Sequence, residues 1–163
     1  MTRWLAVPTV IAWFLADYAS KSWALSHLET QMIVVNDFFN LRLAFNKGAA
    51  FSFLAGGDGW QKYFFIAIAV GVCGYFAYCI VKENLSKTAI FAYASVIGGA
   101  LGNVYDRLAY GHVVDFLDFH WGNAHYPTFN IADVGVCLGV GILLILSLLE
   151  TVSKEVSHDS KNV

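Results

Sequence analysis

Charge is scarce in this sequence. Only 13% of its 163 residues are Asp, Glu, Lys or Arg, whereas 58% are hydrophobic. A soluble domain carries about a quarter charged residues, so a membrane protein is the first reading, and the length suits one compact domain. The net charge of −2 supplies no basic footprint for a nucleic-acid partner. Cysteine is also sparse: Cys73, Cys79 and Cys137 all lie in apolar segments and form no C-x-x-C pair, so they read as small buried hydrophobes. There is no H-E-x-x-H helix, no G-x-S-x-G elbow and no glycine-rich phosphate loop. Those absences remove the sequence signatures of a zinc peptidase helix, an α/β-hydrolase serine and a nucleotide site.

A membrane helix needs about 20 mostly apolar residues. Tyr63–Val81, Thr88–Tyr105 and Ile131–Leu149 meet that need, the last with Asp133 as its single charge. Trp4–Leu25 is apolar except for Asp17 and Lys21. Arg3 followed by Trp4–Ala16 also resembles a cleaved signal peptide. The apolar region continues through Trp23, however, and Asp17 and Lys21 fall four apart on one helical face, where they can pair. Four transmembrane helices are therefore expected, with both termini on one side.

Arg3, Lys82, Lys87, Lys154 and Lys161 fall on one side, and Lys21, Arg42, Lys47, Lys62 and Arg107 on the other. Discounting Lys21 and Arg107, which lie in or beside apolar segments, leaves the excess on the side of the termini and places them in the cytoplasm. Two polar stretches, about 26–59 and 106–130, then face outward. In the first, Leu41, Leu43 and Phe45 alternate with Asn40, Arg42 and Ala44, which predicts a strand, and Gly56-Gly57-Asp58-Gly59 predicts a turn. The Lys82–Lys87 connection faces inward, and the polar tail from Thr151 is expected to fray. Gly98/Gly102 and Gly135/Gly139 are small-residue pairs at the spacing that lets membrane helices approach.

The unusual polar residues collect at the outward face. Asp115 lies in Gly111-His112-Val113-Val114-Asp115-Phe116, and Asp133 ends Phe129-Asn130-Ile131-Ala132-Asp133 at the head of an apolar run. An ionisable group at membrane depth is costly and marks function by default. Two carboxylates that meet form a simple device for activating water without a metal. Each residue also has a plainer role. Asn130 is a good helix N-cap, and Asp133 three residues later is a capping-box acid at the positive end of the helix dipole. Asp115 could pair with Arg107 or sit in water. Asp118 competes with it, but in an extended Val113–Phe119 the two point to opposite faces. Arg107 could be a local ion pair of Asp106. Asn46, Asn103 and Asn130 could be ordinary turn and cap residues, or could hold carboxylates and substrate carbonyls in register. Asn103 and Arg107 share a helical face. Of the five histidines (His27, His112, His120, His125 and His158), His120 and His125 lack a third ligand at suitable spacing, so interfacial or solvated histidines are expected.

The run Gly98-Gly99-Ala100-Leu101-Gly102-Asn103-Val104-Tyr105-Asp106-Arg107, continuing to Gly111-His112-Val113-Val114-Asp115-Phe116, resembles the lipoprotein signal peptidases, or signal peptidase II. Phe129-Asn130-Ile131-Ala132-Asp133, Asn46-Lys47-Gly48-Ala49-Ala50-Phe51-Ser52 and Asp17-Tyr18-Ala19-Ser20-Lys21 are similar to the family's other motifs, in the family's order. One departure is Val134, where a small hydroxyl residue is frequent. The resemblance implies a single all-α membrane domain of four transmembrane helices with an extracytoplasmic β-cradle and a short mobile helix or loop. It implies a monomeric aspartic endopeptidase of the bacterial inner membrane, with its site at the periplasmic side. The implied substrate is a diacylglyceryl-modified prolipoprotein, cut just before the lipidated cysteine in contact with membrane lipids. By resemblance Asp115 and Asp133 are the catalytic pair. Asp17, Lys21, Asn46, Gly48, Asn103, Arg107, Asn130 and Ala132 bind substrate or support the pocket. No metal and no cofactor is implied.

Two other classes compete. A proton-coupled transporter subunit predicts acids spread through the depth of the bilayer, whereas Tyr63–Val81 contains none. A non-enzymatic lipoprotein chaperone predicts that either aspartate can be lost without effect.

Overall fold

The computed structural model describes residues 3–48 and 59–159, with side chains as far as Lys154. A 3-10 turn, Arg3–Leu5, leads into α1, Ala6–His27, followed by α2, Trp60–Lys82, α3, Lys87–Ala109, and α4, Ile131–Asp159. Between them lie β1, Ile33–Asn36, β2, Phe39–Asn46, β3, Val113–Trp121, and β4, Ala124–His125, paired antiparallel in that order.

Three helices, α2, α3 and the Ile131–Lys154 part of α4, are long and apolar enough to cross a membrane. The 22-residue α1 matches them in length but carries Asp17 and Lys21, both buried. In α3, 56% of the apolar window is buried, against 11% in α2 and 17% in α4. So α3 is the central helix and the others wrap it, turning apolar side chains such as Val70, Tyr75, Leu144 and Ile145 outward. Surface of that kind suits lipid, which is as apolar as the side chains themselves. The small-residue pairs are where the helices close up. A Cβ on Gly98 would sit 2.7 Å from Trp13 Cβ, and one on Gly135 2.9 Å from the Trp13 ring. Trp13 itself donates Nε1–H to Ser95 Oγ at 2.9 Å, fixing α1 against α3.

Ser86 caps α3, its Oγ accepting the Ala89 amide at 3.1 Å. At the other end Gly111, at φ +78°, turns the chain from α3 into β3, its amide bonded to Arg107 O at 3.2 Å. Here α4 departs from expectation. It runs to Asp159 where fraying from Thr151 is predicted, and the Thr151 hydroxyl bonds Ser147 O at 3.0 Å along the way. Gly56, Gly57 and Asp58 of the predicted turn lie outside the described residues, and no extracytoplasmic helix occurs among the described ones.

The predicted strand is β2. Its Leu41 and Leu43 join Ala24, Leu28 and Phe116 in a small core that seats the sheet on the end of α1. The pairing of β2 with β3 slips between Leu41, opposite Leu117, and Ala44, opposite Asp115. Three steps on β2 therefore match two on β3, and a slip of one residue exchanges the faces of a strand. Ala44 and Asn46 consequently share a face with Asp115, while Phe45 falls out of the Leu41–Leu43 alternation and is 55% exposed.

Candidate functional site

Asp115 lies midway along β3 and is 2% exposed; Asp133 lies in the first turn of α4. Asn130 joins them. Its Oδ1 accepts the Asp133 amide at 2.9 Å and its own amide donates to Asp133 Oδ2 at 3.3 Å, which is the predicted reciprocal cap. With Oδ1 committed, its Nδ2 donates to Asp115 Oδ1 at 2.7 Å. One buried side chain thus both starts α4 and binds the opposing carboxylate. Asn46 Nδ2 donates to the other oxygen, Asp115 Oδ2, at 3.2 Å, and Asn103 Nδ2 to Asp133 Oδ1 at 2.8 Å.

Behind this pair lies Lys21, 3% exposed, with its ammonium 2.7 Å from Asp17 Oδ2, 2.8 Å from Asp106 Oδ2 and 3.0 Å from Asn103 Oδ1. Buried charge is tolerated when paired and hydrogen-bonded, and every member here has a second task. Asp17 Oδ1 accepts the Ala132 amide at 2.8 Å, Asp106 Oδ2 accepts the Val114 amide at 3.0 Å, and Asn103 Oδ1 also accepts from Asn130 Nδ2 at 3.1 Å. Lys21 therefore holds α1, α3, β3 and α4 in one register beneath the two aspartates. Gly102 gives Asp17 its room, since a Cβ there would press on the carboxylate.

Two plainer readings are corrected. Asp106 pairs with Lys21, not with its neighbour Arg107, and Asp115 bonds asparagines rather than Arg107. Arg107 donates to Gly48 O at 3.1 Å and Asn103 O at 3.4 Å and lies 5.0 Å from the Phe65 ring centroid, and among the described residues its buried Nε has no partner. Gly48 in turn donates its amide to Asn46 Oδ1 at 2.9 Å. That bond commits Asn46 Oδ1 and turns its Nδ2 toward Asp115.

The two aspartates open onto one cavity of about 1240 Å³, whose wall includes Asn46, Asn103 and Arg107. Asp17, Lys21, Gly48, Asn130 and Ala132 are absent from that wall; they act from behind it. Burial, and next the charge of Asp133, pushes the Asp115 carboxyl up to about 7, although hydrogen bonds from Asn46 and Asn130 pull the other way. Asp118 lies on the other face of β3, paired with Asn40, as the alternation predicts. Burial acts to raise its pKa, but His125, Asn40 and Arg42 prevail and hold it below the ordinary carboxylate range.

The histidines lie at the surface: His27 and His125 are exposed, His112 and His120 half-buried. His125 Nδ1 is 2.9 Å from Asp118 Oδ1 and its ring stacks on His120. His27 stacks on Trp23, and His112 packs on Phe45. The His158 side chain lies outside the described residues. Cys79 is buried and Cys73 half-buried, but Cys137 is exposed and lines the cavity, contrary to its reading as a buried hydrophobe. Among the described residues no three His, Cys, Asp or Glu side chains are placed to hold a metal ion. Asp106 was missed as a supporting residue; its signal was an acid in an apolar helix, three residues from Asn103, with Lys21 as a possible counter-charge.

A family model described as Signal peptidase (SPase) II matches residues 9–149. A "Lipoprotein signal peptidase" of Dichelobacter nodosus (strain VCS1703A) is 46% identical over 142 residues, covering 85% of this chain and 90% of that protein. One of Yersinia pestis (strain Pestoides F) is 43% identical over 160 residues, covering 97% and 92%. Among solved structures, a bacterial membrane enzyme determined by the in meso method at 2.3 Å superposes with a TM-score of 0.78 at 29% identity, covering 92% of this chain and 91% of that one.

Proposed function

Because the chain belongs to the signal peptidase II family and is a membrane-embedded peptidase, we propose that it is an aspartic endopeptidase removing signal peptides from prolipoproteins. Its cut falls just before a cysteine that carries diacylglycerol, and Asp115 and Asp133 activate the water. The observation that carries the mechanism is Asn130, whose Nδ2 donates to the Asp115 carboxylate and whose backbone amide donates to that of Asp133, two aspartates that line a single cavity.

Two carboxylates about 3 Å apart do not both ionise readily and share one proton. Asp133 stands at the positive end of α4, which favours negative charge there, and the raised pKa of Asp115 fits it as holder of the proton. Asp133 takes a proton from water as the oxygen attacks the scissile carbonyl. Asp115 gives its proton to the developing oxyanion; Asp133 then passes the proton it took from water to the leaving amine, and as the tetrahedral intermediate collapses its hydroxyl returns a proton to Asp115. The dyad titrates as a unit. Asn46, Asn103 and Asn130 hold the two carboxylates by hydrogen bonds, and Arg107, in the cavity wall, offers its guanidinium to a substrate carbonyl.

The chain works as a monomeric single domain in the bacterial inner membrane, with α1 as the fourth span and both termini in the cytoplasm. Its site then opens at the periplasmic side. The burial of Lys21 with Asp17 and Asp106 supports this orientation, because a lysine engaged in a site is rightly left out of the loop-charge balance. Asp115→Asn and Asp133→Asn are tested in proteoliposomes on a prolipoprotein with and without diacylglycerol, with product read by mass. Each variant stays folded and loses on the order of 10³-fold in cleavage, and only lipidated substrate is cut. Cleavage at near wild-type rate by either variant overturns the two-aspartate mechanism.

A further inference from the structure

A second polar cluster faces the same cavity and is not used by the dyad. Asp118 is fully buried and serves as its anchor. His125 Nδ1 lies 2.9 and 3.1 Å from the two Asp118 oxygens, and Asn40 Nδ2 donates to Oδ2 at 3.4 Å. Arg42 Nη2 lies 3.5 Å from Asp118 Oδ1 and donates to Thr128 Oγ1 at 3.3 Å. Arg42, Thr128 and His125 all line the cavity, and the Arg42 side chain is 47% exposed. A guanidinium carries five N–H donors in a fork matched to carboxylates. Among the described residues the hydrogen bonds of Arg42 involve Nη2, which leaves Nη1 and Nε to a ligand. Because Asp118 is ionised and only accepts, His125 carries its proton on Nδ1.

The cavity wall is part polar and part apolar. Val134, Val136 and Leu138 of the membrane helix α4 line one part, and Arg42, Thr128 and His125 of the extramembrane part line another, with Asp115 and Asp133 also in the wall. A substrate whose signal segment is apolar lays that segment along the membrane end. The chain beyond the cut then leaves past Arg42.

We propose that Arg42, set by Asp118 and Thr128, is a specificity-determining residue that receives an acidic side chain among the first residues following the lipidated cysteine. This rests on the peptidase reading above. Arg42 and Thr128 form the contact surface, and Asp118 is a positioning residue that acts through Arg42 and His125.

The test compares kcat/KM of the full-length enzyme in proteoliposomes on three diacylglyceryl peptides. They differ only in carrying Asp, Asn or Lys just after the cysteine. Wild type prefers the Asp over the Lys peptide by roughly three- to tenfold, the scale of a partly exposed charge pair. Arg42→Gln flattens that ratio and Arg42→Glu inverts it, while Arg42→Lys keeps its sign; thermal melts confirm that each variant is folded. The ratio is internal to each enzyme, so a general loss of rate does not mimic the effect. Equal kcat/KM for the three peptides, or an unchanged ratio in Arg42→Glu, overturns the subsite while leaving the peptidase reading intact. Failure of wild type to cut any of them overturns both.

Discussion

Each asparagine of the site has its amide orientation set by one partner and spends the other end on an aspartate. Asn46 accepts the Gly48 amide and so offers Nδ2 to Asp115; Asn103 accepts from Lys21 and Asn130 and so offers Nδ2 to Asp133. The donors are committed before substrate arrives, which is what preorganisation requires. The consequence for pH follows from Asp115. In the proposed mechanism its proton is needed for the acid step, and burial pushes its pKa up to about 7, so kcat/KM is expected to fall as pH rises through that region. Asn46 lowers that pKa by bonding the ionised form. Asn46→Ala removes the bond, stabilises the protonated form relative to the ionised one, and moves the alkaline limb of the kcat/KM profile to higher pH. A limb that stays put or moves to lower pH counts against Asp115 as the group that must keep its proton.

Among the elements, the glycines of α4 separate packing from propensity. A Cβ on Gly139 would press on Ala92 O and lie 2.6 Å from Val96 Cγ2, whereas one on Gly141 meets nothing within 4 Å. Gly139→Ala forces α3 and α4 apart and costs about 1–3 kcal/mol. Gly141→Ala, two residues on in the same helix, is neutral or stabilising by up to about 1 kcal/mol, since alanine is the better helix former. Thermal unfolding of both variants in one detergent checks the contrast, and equal melting shifts would mean that the Gly139 contact is not rigid. The small-residue spacing was legible because close helix approach leaves a direct mark on sequence, and so was the Asn130–Asp133 cap, whose signal is local. The slip in β2 was not. Nothing in Leu41–Asn46 announces that one residue is skipped, yet the slip brings Asn46 onto the face of Asp115. The partner of Asp106 was missed although Lys21 was a possible counter-charge, because Lys21 reaches it from another helix and the neighbouring Arg107 was the nearer candidate.

For the whole molecule, given the diacylglyceryl substrate proposed above, the bilayer changes how that lipid acts. Taken from water, each buried methylene of an acyl chain contributes about 0.8 kcal/mol. The substrate is already in the membrane, however, and lipid tails are as apolar as the Val134, Val136 and Leu138 wall of the cavity. Moving a chain from bilayer to cavity therefore yields little hydrophobic free energy, and the lipid contributes by fixing where the cysteine sits relative to Asp115 and Asp133. Shortening both acyl chains by a few methylenes in proteoliposomes should then change kcat/KM less than tenfold, far below the roughly 10²-fold that about 3 kcal/mol of lost burial gives. Removing the diacylglycerol altogether should lower kcat by 10²-fold or more, as loss of a positioning group does. If kcat/KM instead falls steeply with each methylene removed while kcat stays constant, the acyl chains act through affinity, and the cavity must hold them more tightly than the bilayer does.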